Sequence, residues 1–151
     1  MIPARLGSTR LPRKPLLPLA GEPLITFVTR RIAELGICDR LVVATDAREI
    51  VAIVGGAGFE AVMTSPDHAT GTERVAEVIA KPEFRAFDFV LNVQGDEPFV
   101  AAAAVRGALA CLEGGEPLGT AARSHDATLG NDPSRGKGVV DARGRAGYFS
   151  R

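Results

Sequence analysis

Cysteine and histidine are scarce in this sequence of 151 residues, with two of each. Cys38 and Cys111 belong to no CxxC pair, and neither stands near His68 or His125. This spacing argues against a zinc site, a disulfide framework and a nucleophilic triad. So few unpaired cysteines are typical of a reducing compartment, and we expect a cytoplasmic location.

Long apolar runs and a net charge are also missing. The longest unbroken apolar run is FVAAAAV, far below the roughly 18 residues that a membrane-spanning helix needs. The 18 basic and 18 acidic side chains cancel, so no overall field draws the protein to nucleic acid or to a membrane surface. A function that depends on charge must therefore be local.

Three well-known motifs are absent as well. GNDPSRGKG has one residue too many between its glycines for a P-loop, and a glycine follows its lysine where a P-loop has Ser or Thr. The glycines of GGAGFE do not fit the GxGxxG dinucleotide pattern, and no GxSxG nucleophile elbow occurs. These absences exclude a Walker A site and disfavour a redox Rossmann enzyme.

What the sequence does contain is an alternation of helical and strand-like segments. The chain is 46% apolar, which is enough for one sizeable core. Periodicity and glycine stops predict helices at PLITFVTRRIAELG, AREIVAIVGGAG, GTERVAEVIAKP and PFVAAAAVRGALACLEGG. Apolar runs predict strands at RLVVAT, FEAVMT and FDFVLNVQG, with β-like KGVVD and AGYFSR near the end. This order predicts an α/β fold with helices on both faces of a sheet.

The first loop, PARLGSTRLPRK, is rich in positive charge and precedes every carboxylate of the sequence. Its glycine permits close backbone approach, its hydroxyls can donate hydrogen bonds, and its cations can neutralise phosphate oxygens. The residues that could do so are Ser8, Thr9, Arg5, Arg10 and Lys14. A polyphosphate fits this combination, and the alternative is a solvated basic loop. A transit peptide is disfavoured, because the prolines at 3, 12, 15 and 18 would break its helix.

A second loop, VQGDEP, places two carboxylates after an apolar strand, where open α/β sheets bind their ligands. Asp96 and Glu97 could hold a hard cation such as magnesium against phosphate groups. The alternatives are a surface turn or a cap for the helix predicted at Pro98. A basic loop together with an acidic strand end indicates metal-dependent nucleotidyl transfer.

A third loop, SPDHATGTER, lies just before a predicted helix. Thr70, Gly71 and Thr72 could contact a base through hydroxyls and backbone amides, or they could cap the helix. Capping is the interpretation that we favour for this segment on its own. His68 stands alone between Asp67 and Ala69, and we predict a structural rather than a catalytic role for it.

Taken together, IPARLGSTRLPRKPL, ATD, MTSPDHATGTER, NVQGDEPF and YFSR resemble the 3-deoxy-manno-octulosonate cytidylyltransferases, the CMP-Kdo synthetases of lipopolysaccharide synthesis in Gram-negative bacteria. The resemblance covers essentially the whole chain, and HxxGTER followed by NVQGDEP favours this family over the sialic acid cytidylyltransferases. It implies a three-layer α/β/α fold of the nucleotide-diphospho-sugar transferase type, with a mixed, mostly parallel sheet. It also implies transfer of CMP from CTP to Kdo, release of pyrophosphate and Mg2+ as cofactor.

The resemblance further assigns site residues by motif position. The residues that would contact the nucleotide are Ala4, Arg5, Arg10, Lys14, Gly71, Thr72 and Gln94. Of these, Arg5 and Lys14 would act in catalysis together with Asp96, which would also ligate Mg2+.

The chain departs from the family at both ends and at Arg13, where the family more usually has glycine. Family members begin earlier with an apolar strand, whereas only Met1 and Ile2 precede Pro3, and they continue well beyond YFSR. We therefore expect residues 1–151 to be the nucleotide-binding half of an incomplete nucleotidyltransferase domain, lacking the first strand and inactive alone. The homodimer implied by the family is not expected of such a fragment. The alternatives are a cytidylyltransferase for another acidic sugar and a non-catalytic nucleotide-binding remnant.

Overall fold

Three parallel strands form the central sheet of the computed structural model, which describes residues 1–7, 11–122 and 137–150. The strands are β1 (Ile2–Ala4), β2 (Pro18–Leu19), β3 (Glu22–Pro23), β4 (Val42–Thr45), β5 (Glu60–Met63), β6 (Lys137–Val140) and β7 (Ala146–Ser150). The helices are α1 (Leu24–Glu34), α2 (Arg48–Gly56), α3 (Gly71–Ile79) and α4 (Ala102–Glu113). The central sheet has the order β1-β4-β5, while β2-β3 and β6-β7 are antiparallel pairs. In this part of the chain every helix is too short or too polar to cross a bilayer.

The four predicted helices and most of the predicted strands are confirmed. Helix α1 begins directly after Pro23 and ends before Gly36, as the proline and glycine signals indicate. Helix α4 begins later than predicted, at Ala102, four residues beyond Pro98. The β-like stretches KGVVD and AGYFSR contain the strands Lys137–Val140 and Ala146–Ser150 of the hairpin β6-β7.

Alternate residues of β4 belong to two apolar clusters, one on each side of the sheet. Val43 packs with residues of α1 and α2, such as Val28 and Ile50. Val42 and Ala44 belong instead to a cluster that contains residues of α3 and of the 3-10 turn Pro82–Phe84. Because successive side chains of a strand point to opposite faces, helices cover both faces of the sheet, which confirms the layered α/β prediction.

Strand β1 corrects the expectation that the first strand is missing. Ile2, Pro3 and Ala4 pair in parallel with β4, and all three are buried. A proline fits here because of the way backbone groups alternate in a parallel strand. The N–H and C=O of one residue point to the strand on one side, and those of the next residue point to the strand on the other side. Met1 bonds on the side away from β4, to Leu91 and Val93. Pro3 therefore faces the same side as Met1, and its missing N–H costs nothing in the pairing with β4.

The strand predicted at FDFVLNVQG is not formed, and this too is a correction. The segment runs beside β1, where the Met1 amino group donates to the Leu91 carbonyl at 2.8 Å and the Val93 N–H donates to the Met1 carbonyl at 3.0 Å. The next bond of a parallel pattern would need the N–H of Pro3, which does not exist. The segment therefore lies next to β1 without a regular ladder.

Arg13 adopts the left-handed backbone conformation, with φ of 56° and ψ of 25°, just before the 3-10 turn Lys14–Leu16. This conformation costs a residue with a Cβ roughly 1–2 kcal/mol, and glycine adopts it freely. This backbone geometry explains why the family that the sequence resembles more usually has glycine at this position. The Arg13 guanidinium pairs with Glu49 of α2.

We expect Arg13→Gly to be more stable than Arg13→Ala by about 1 kcal/mol. Both variants lose the ion pair with Glu49, so the difference between them isolates the backbone term. Urea unfolding of the two variants measures it directly. Equal stabilities would show that this residue is not held in the left-handed conformation.

Candidate active site

A cavity of about 360 Å³ opens at the carboxyl end of β1 and is lined by residues from distant parts of the chain. Six predicted site residues line it: Ala4, Arg5, Lys14, Gly71, Gln94 and Asp96. Thr72 lies outside this lining, because it faces an adjoining apolar groove between α3 and α4. Arg10, with Ser8 and Thr9, lies outside the described residues. The fold thus brings the basic loop, the start of α3 and the acidic loop to one place.

An ion pair joins the basic loop to the acidic loop. The Lys14 ammonium lies 2.6 Å from Asp96 Oδ2, and the two side chains are 36% and 50% exposed. Ion pairs as exposed as this contribute about 0–1 kcal/mol, so a charged ligand can displace the pair at little cost. Both charges are therefore available to an incoming ligand.

Arg5 contributes a second cation to the cavity. Its side chain is exposed, and Nη1 donates to the Ala69 carbonyl at 3.5 Å. That distance is at the limit of hydrogen-bond geometry, so the bond holds the guanidinium weakly. Arg5 and Lys14 together present two cations to an anionic ligand at the end of β1.

The start of α3 is closed by a capping box. Thr70 Oγ1 accepts from the Glu73 N–H, and the Glu73 carboxylate accepts from the N–H groups of Ala69 and Thr70. These backbone donors hold the pKa of Glu73 below its usual value. Capping, the role favoured for this loop, is confirmed for Thr70. Gly71 lies against β1 so closely that a Cβ would be 3.0 Å from Pro3 Cγ.

The acidic loop is a turn in which the Glu97 N–H donates to the Gln94 carbonyl at 3.2 Å. Gly95 is packed tightly under it, since a Cβ there would be 2.9 Å from the Pro3 carbonyl oxygen. The cap of α4 lies at Ala101 and involves no side chain, so the helix-cap alternative for this carboxylate pair is wrong. The turn instead directs Asp96 into the cavity.

Asp96 fits the way in which proteins hold Mg2+ beside a nucleotide. Among the described residues no group of three or more Asp, Glu, His or Cys could form a cage for a metal ion. Mg2+ is usually held by one or two carboxylates, with substrate phosphates and water completing its shell. A half-exposed carboxylate at the mouth of the cavity meets this requirement.

Arg74 is a cavity residue that the sequence analysis missed. Its side chain is only 2% exposed, and Nη2 donates to Asp46 Oδ2 at 2.8 Å. The helical spacing of the sequence could have indicated its burial, because Arg74 lies with Val75 and Val78 on the buried face of α3. A charged residue in an apolar stripe indicates a buried partner.

His68 contacts α3 through Glu77 and does not line the cavity. Its Nε2 is 2.6 Å from Glu77 Oε2, and the same carboxylate oxygen accepts from the Ser65 N–H at 2.8 Å. The backbone donor and His68 together hold the pKa of Glu77 below its usual value. This arrangement supports the structural role predicted for His68.

Comparison with known proteins gives consistent matches. The model of a family described as cytidylyltransferase matches residues 1–151. A 3-deoxy-manno-octulosonate cytidylyltransferase from Gemmatimonas aurantiaca is 50% identical over 152 residues, covering 100% of this chain and 59% of that protein. The chain therefore spans about three fifths of that relative's length.

Solved structures agree with the sequence matches. A structure of CMP:2-keto-3-deoxy-manno-octonic acid synthetase complexed with CTP superposes with a TM-score of 0.84 at 37% identity, over 99% of this chain and 61% of that one. A cytidylyltransferase from Leptospira borgpetersenii serovar Hardjo-bovis has a TM-score of 0.57 at 22% identity, over 72% of this chain and 45% of that one, and shows the fold alone. These matches confirm the resemblance and the fold class.

Proposed function

Since this chain belongs to the cytidylyltransferase family, we propose that it supplies the nucleotide site of an enzyme that transfers CMP from CTP to Kdo and releases pyrophosphate. The observation that carries the proposal is the cavity at the end of β1, where Arg5, Lys14, Gly71 and Asp96 meet. Two cations beside a carboxylate are what a metal-bound triphosphate requires. Kdo as the acceptor is supported by the name of the relative that is 50% identical.

The chemistry of this site is electrostatic. The anomeric hydroxyl of Kdo attacks the α-phosphorus of CTP in line and loses its proton to solvent, the bond to pyrophosphate breaks on the opposite side, and no covalent enzyme intermediate is needed. Arg5 and Lys14 neutralise charge on the transferring phosphoryl group and on the leaving pyrophosphate. Gly71 and Gln94 both line the cavity; Gly71 would contact the nucleotide at the start of α3, and Gln94 would hydrogen-bond to the nucleotide or the sugar. Catalysis is then largely positioning of the two substrates.

Asp96 is the residue that would hold Mg2+, together with phosphate oxygens of the nucleotide. The ion would neutralise phosphate charge and polarise the phosphoryl group when bound. Lys14 pairs with Asp96 in the structure, and with Asp96 holding Mg2+ its ammonium would be free to contact the phosphates.

The proposed reaction fits a cytoplasmic step towards lipopolysaccharide. Kdo is the acceptor named in the relatives, and activated sugars for lipopolysaccharide are the products that the resemblance implies. Cys38 and Cys111 are both free and exposed, which is compatible with a reducing compartment.

A thermal melt with different nucleotides tests the proposed function. A ligand that binds only the native state stabilises it by RT ln(1 + [L]/Kd), about 2.7 kcal/mol at 100 times Kd. We expect CTP with Mg2+ to raise the melting temperature of the purified chain and GTP with Mg2+ to leave it nearly unchanged. Equal shifts with both nucleotides, or no shift with either, would contradict the proposal.

A further inference from the structure

The Arg74 guanidinium is almost completely buried, since only 2% of the side chain is exposed. Burying a guanidinium is costly unless opposite charge and hydrogen bonds compensate. Here Nη2 donates to Asp46 Oδ2 at 2.8 Å, and Nη1 donates to the Ser65 carbonyl at 3.2 Å and to the Thr64 hydroxyl. These bonds commit both terminal nitrogens of Arg74 to protein partners.

The partners of Arg74 lie at the ends of two neighbouring strands. Asp46 directly follows β4, and Thr64 directly follows β5. The Thr64 N–H donates to the Thr45 carbonyl at 2.9 Å and so extends the pairing of these strands. Since Arg74 belongs to the first turn of α3, its guanidinium ties a helix and two strands together at the carboxyl edge of the sheet.

That junction forms part of the cavity wall. Arg74 lines the cavity together with Gly71, which precedes it by three residues on the same face of α3. A Cβ on Gly71 would be 3.0 Å from Pro3 Cγ, so α3 and β1 are in close contact with no room for a side chain between them. A shift of the first turn of α3 therefore changes the cavity wall directly.

We propose that Arg74, paired with Asp46, is a positioning residue for the nucleotide. The pair fixes the first turn of α3 against the ends of β4 and β5 before the ligand arrives, so that the cavity is already shaped for CTP. A preorganised site avoids the cost of ordering its walls on binding. This inference rests on the proposed function, because it assumes that the cavity binds CTP.

The test compares two Arg–carboxylate pairs at opposite ends of the sheet: Arg74–Asp46 joins α3 to the carboxyl end of β4, and Arg40–Glu60 joins the amino ends of β4 and β5. Arg74→Met and Asp46→Asn break the pair at the cavity. Arg40→Met breaks the control pair, in which Arg40, two residues before β4, holds Glu60 of β5 at 2.9 and 2.6 Å. The dissociation constant of CTP with Mg2+ is measured by calorimetry well below each variant's unfolding temperature, and stability is measured by urea unfolding.

We expect Arg74→Met and Asp46→Asn each to weaken CTP binding about tenfold, as coupled neighbours of a site do. The double variant should bind no more weakly than Arg74→Met, because the two residues act as one unit. Arg74→Lys should recover part of the affinity, since it keeps the charge beside Asp46. Arg40→Met should lose stability and keep the original CTP affinity.

The outcomes separate the two proposals. An unaltered chain that does not bind CTP overturns the proposed function. An unaltered chain that binds CTP, with folded Arg74→Met binding equally well, overturns only the positioning role, and so does an equal loss of affinity in Arg40→Met. If Arg74→Met does not fold, Asp46→Asn and Thr64→Val decide the question, and unchanged CTP affinity in both overturns the inference.

Discussion

Lys14→Met should weaken the binding of CTP with Mg2+ by about 10- to 100-fold. The substitution removes a cation from the cavity wall while keeping much of the volume of the side chain. A hydrogen bond to a charged group is worth about 1.5–3 kcal/mol, which corresponds to this range of affinity. Isothermal titration calorimetry of the purified chain with CTP and Mg2+ measures the change in the dissociation constant.

Arg31→Met is the matched control for Lys14→Met. Arg31 is 49% exposed, against 36% for Lys14, and it also belongs to an ion pair, with Glu34 at 2.6 Å. It lies in the last turn of α1 and outside the cavity lining. Its loss removes one positive charge from the protein and should leave CTP binding within about twofold, because Arg31 is exposed and lies seven residues, roughly 10 Å of helix, beyond Leu24 of the cavity lining, where salt screens its charge. If both variants lose affinity equally, the effect comes from net charge and Lys14 has no specific role.

Gly95→Ala should destabilise the fold by about 1–3 kcal/mol, the usual cost of overpacking a tight site. The new Cβ would be 2.9 Å from the Pro3 carbonyl oxygen and 3.4 Å from both Ile2 Cγ2 and Ile25 Cδ1. The carbonyl cannot move aside easily, because Pro3 is held in β1. Urea unfolding of the variant should show a lower midpoint with an unchanged slope.

Gly55→Ala provides the opposite expectation with the same substitution. Gly55 lies within α2, and a Cβ there would meet no atom within 4 Å. Alanine in place of a helical glycine stabilises by roughly 0.5–1 kcal/mol. A Gly95→Ala variant as stable as the unaltered chain would show that the acidic loop is not packed against β1, and the placement of Asp96 would then lose its support.

The sequence predicted those elements whose signals are local. Helix α1 is bounded by Pro23 and Gly36, and β4 is a β-branched run buried on both faces, so each could be recognised from a few neighbouring residues. The strand β1 could not, because its acceptance of Pro3 depends on which neighbour each backbone group faces. That information resides in the pairing with β4 and with Leu91, far along the chain.

The candidate site was predictable in part for a related reason. The loops that line the cavity were identified from charge and from the family resemblance, and six assigned residues do lie together. Their contact with a nucleotide stays a prediction. The pairing of Arg74 with Asp46 was not foreseen, because the two residues lie 28 positions apart and nothing local links an arginine of one helix to an aspartate after a strand.

The ion pair between Lys14 and Asp96 has a consequence for the order in which the chain folds during synthesis. Its two residues are 82 positions apart, and ribosomes add roughly 5–20 residues per second. The basic loop therefore emerges several seconds before its acidic counterpart. Contacts of such long range require closure of a long loop and slow folding, so a ligand that needs both loops could stabilise the chain only after residue 96 has been synthesised.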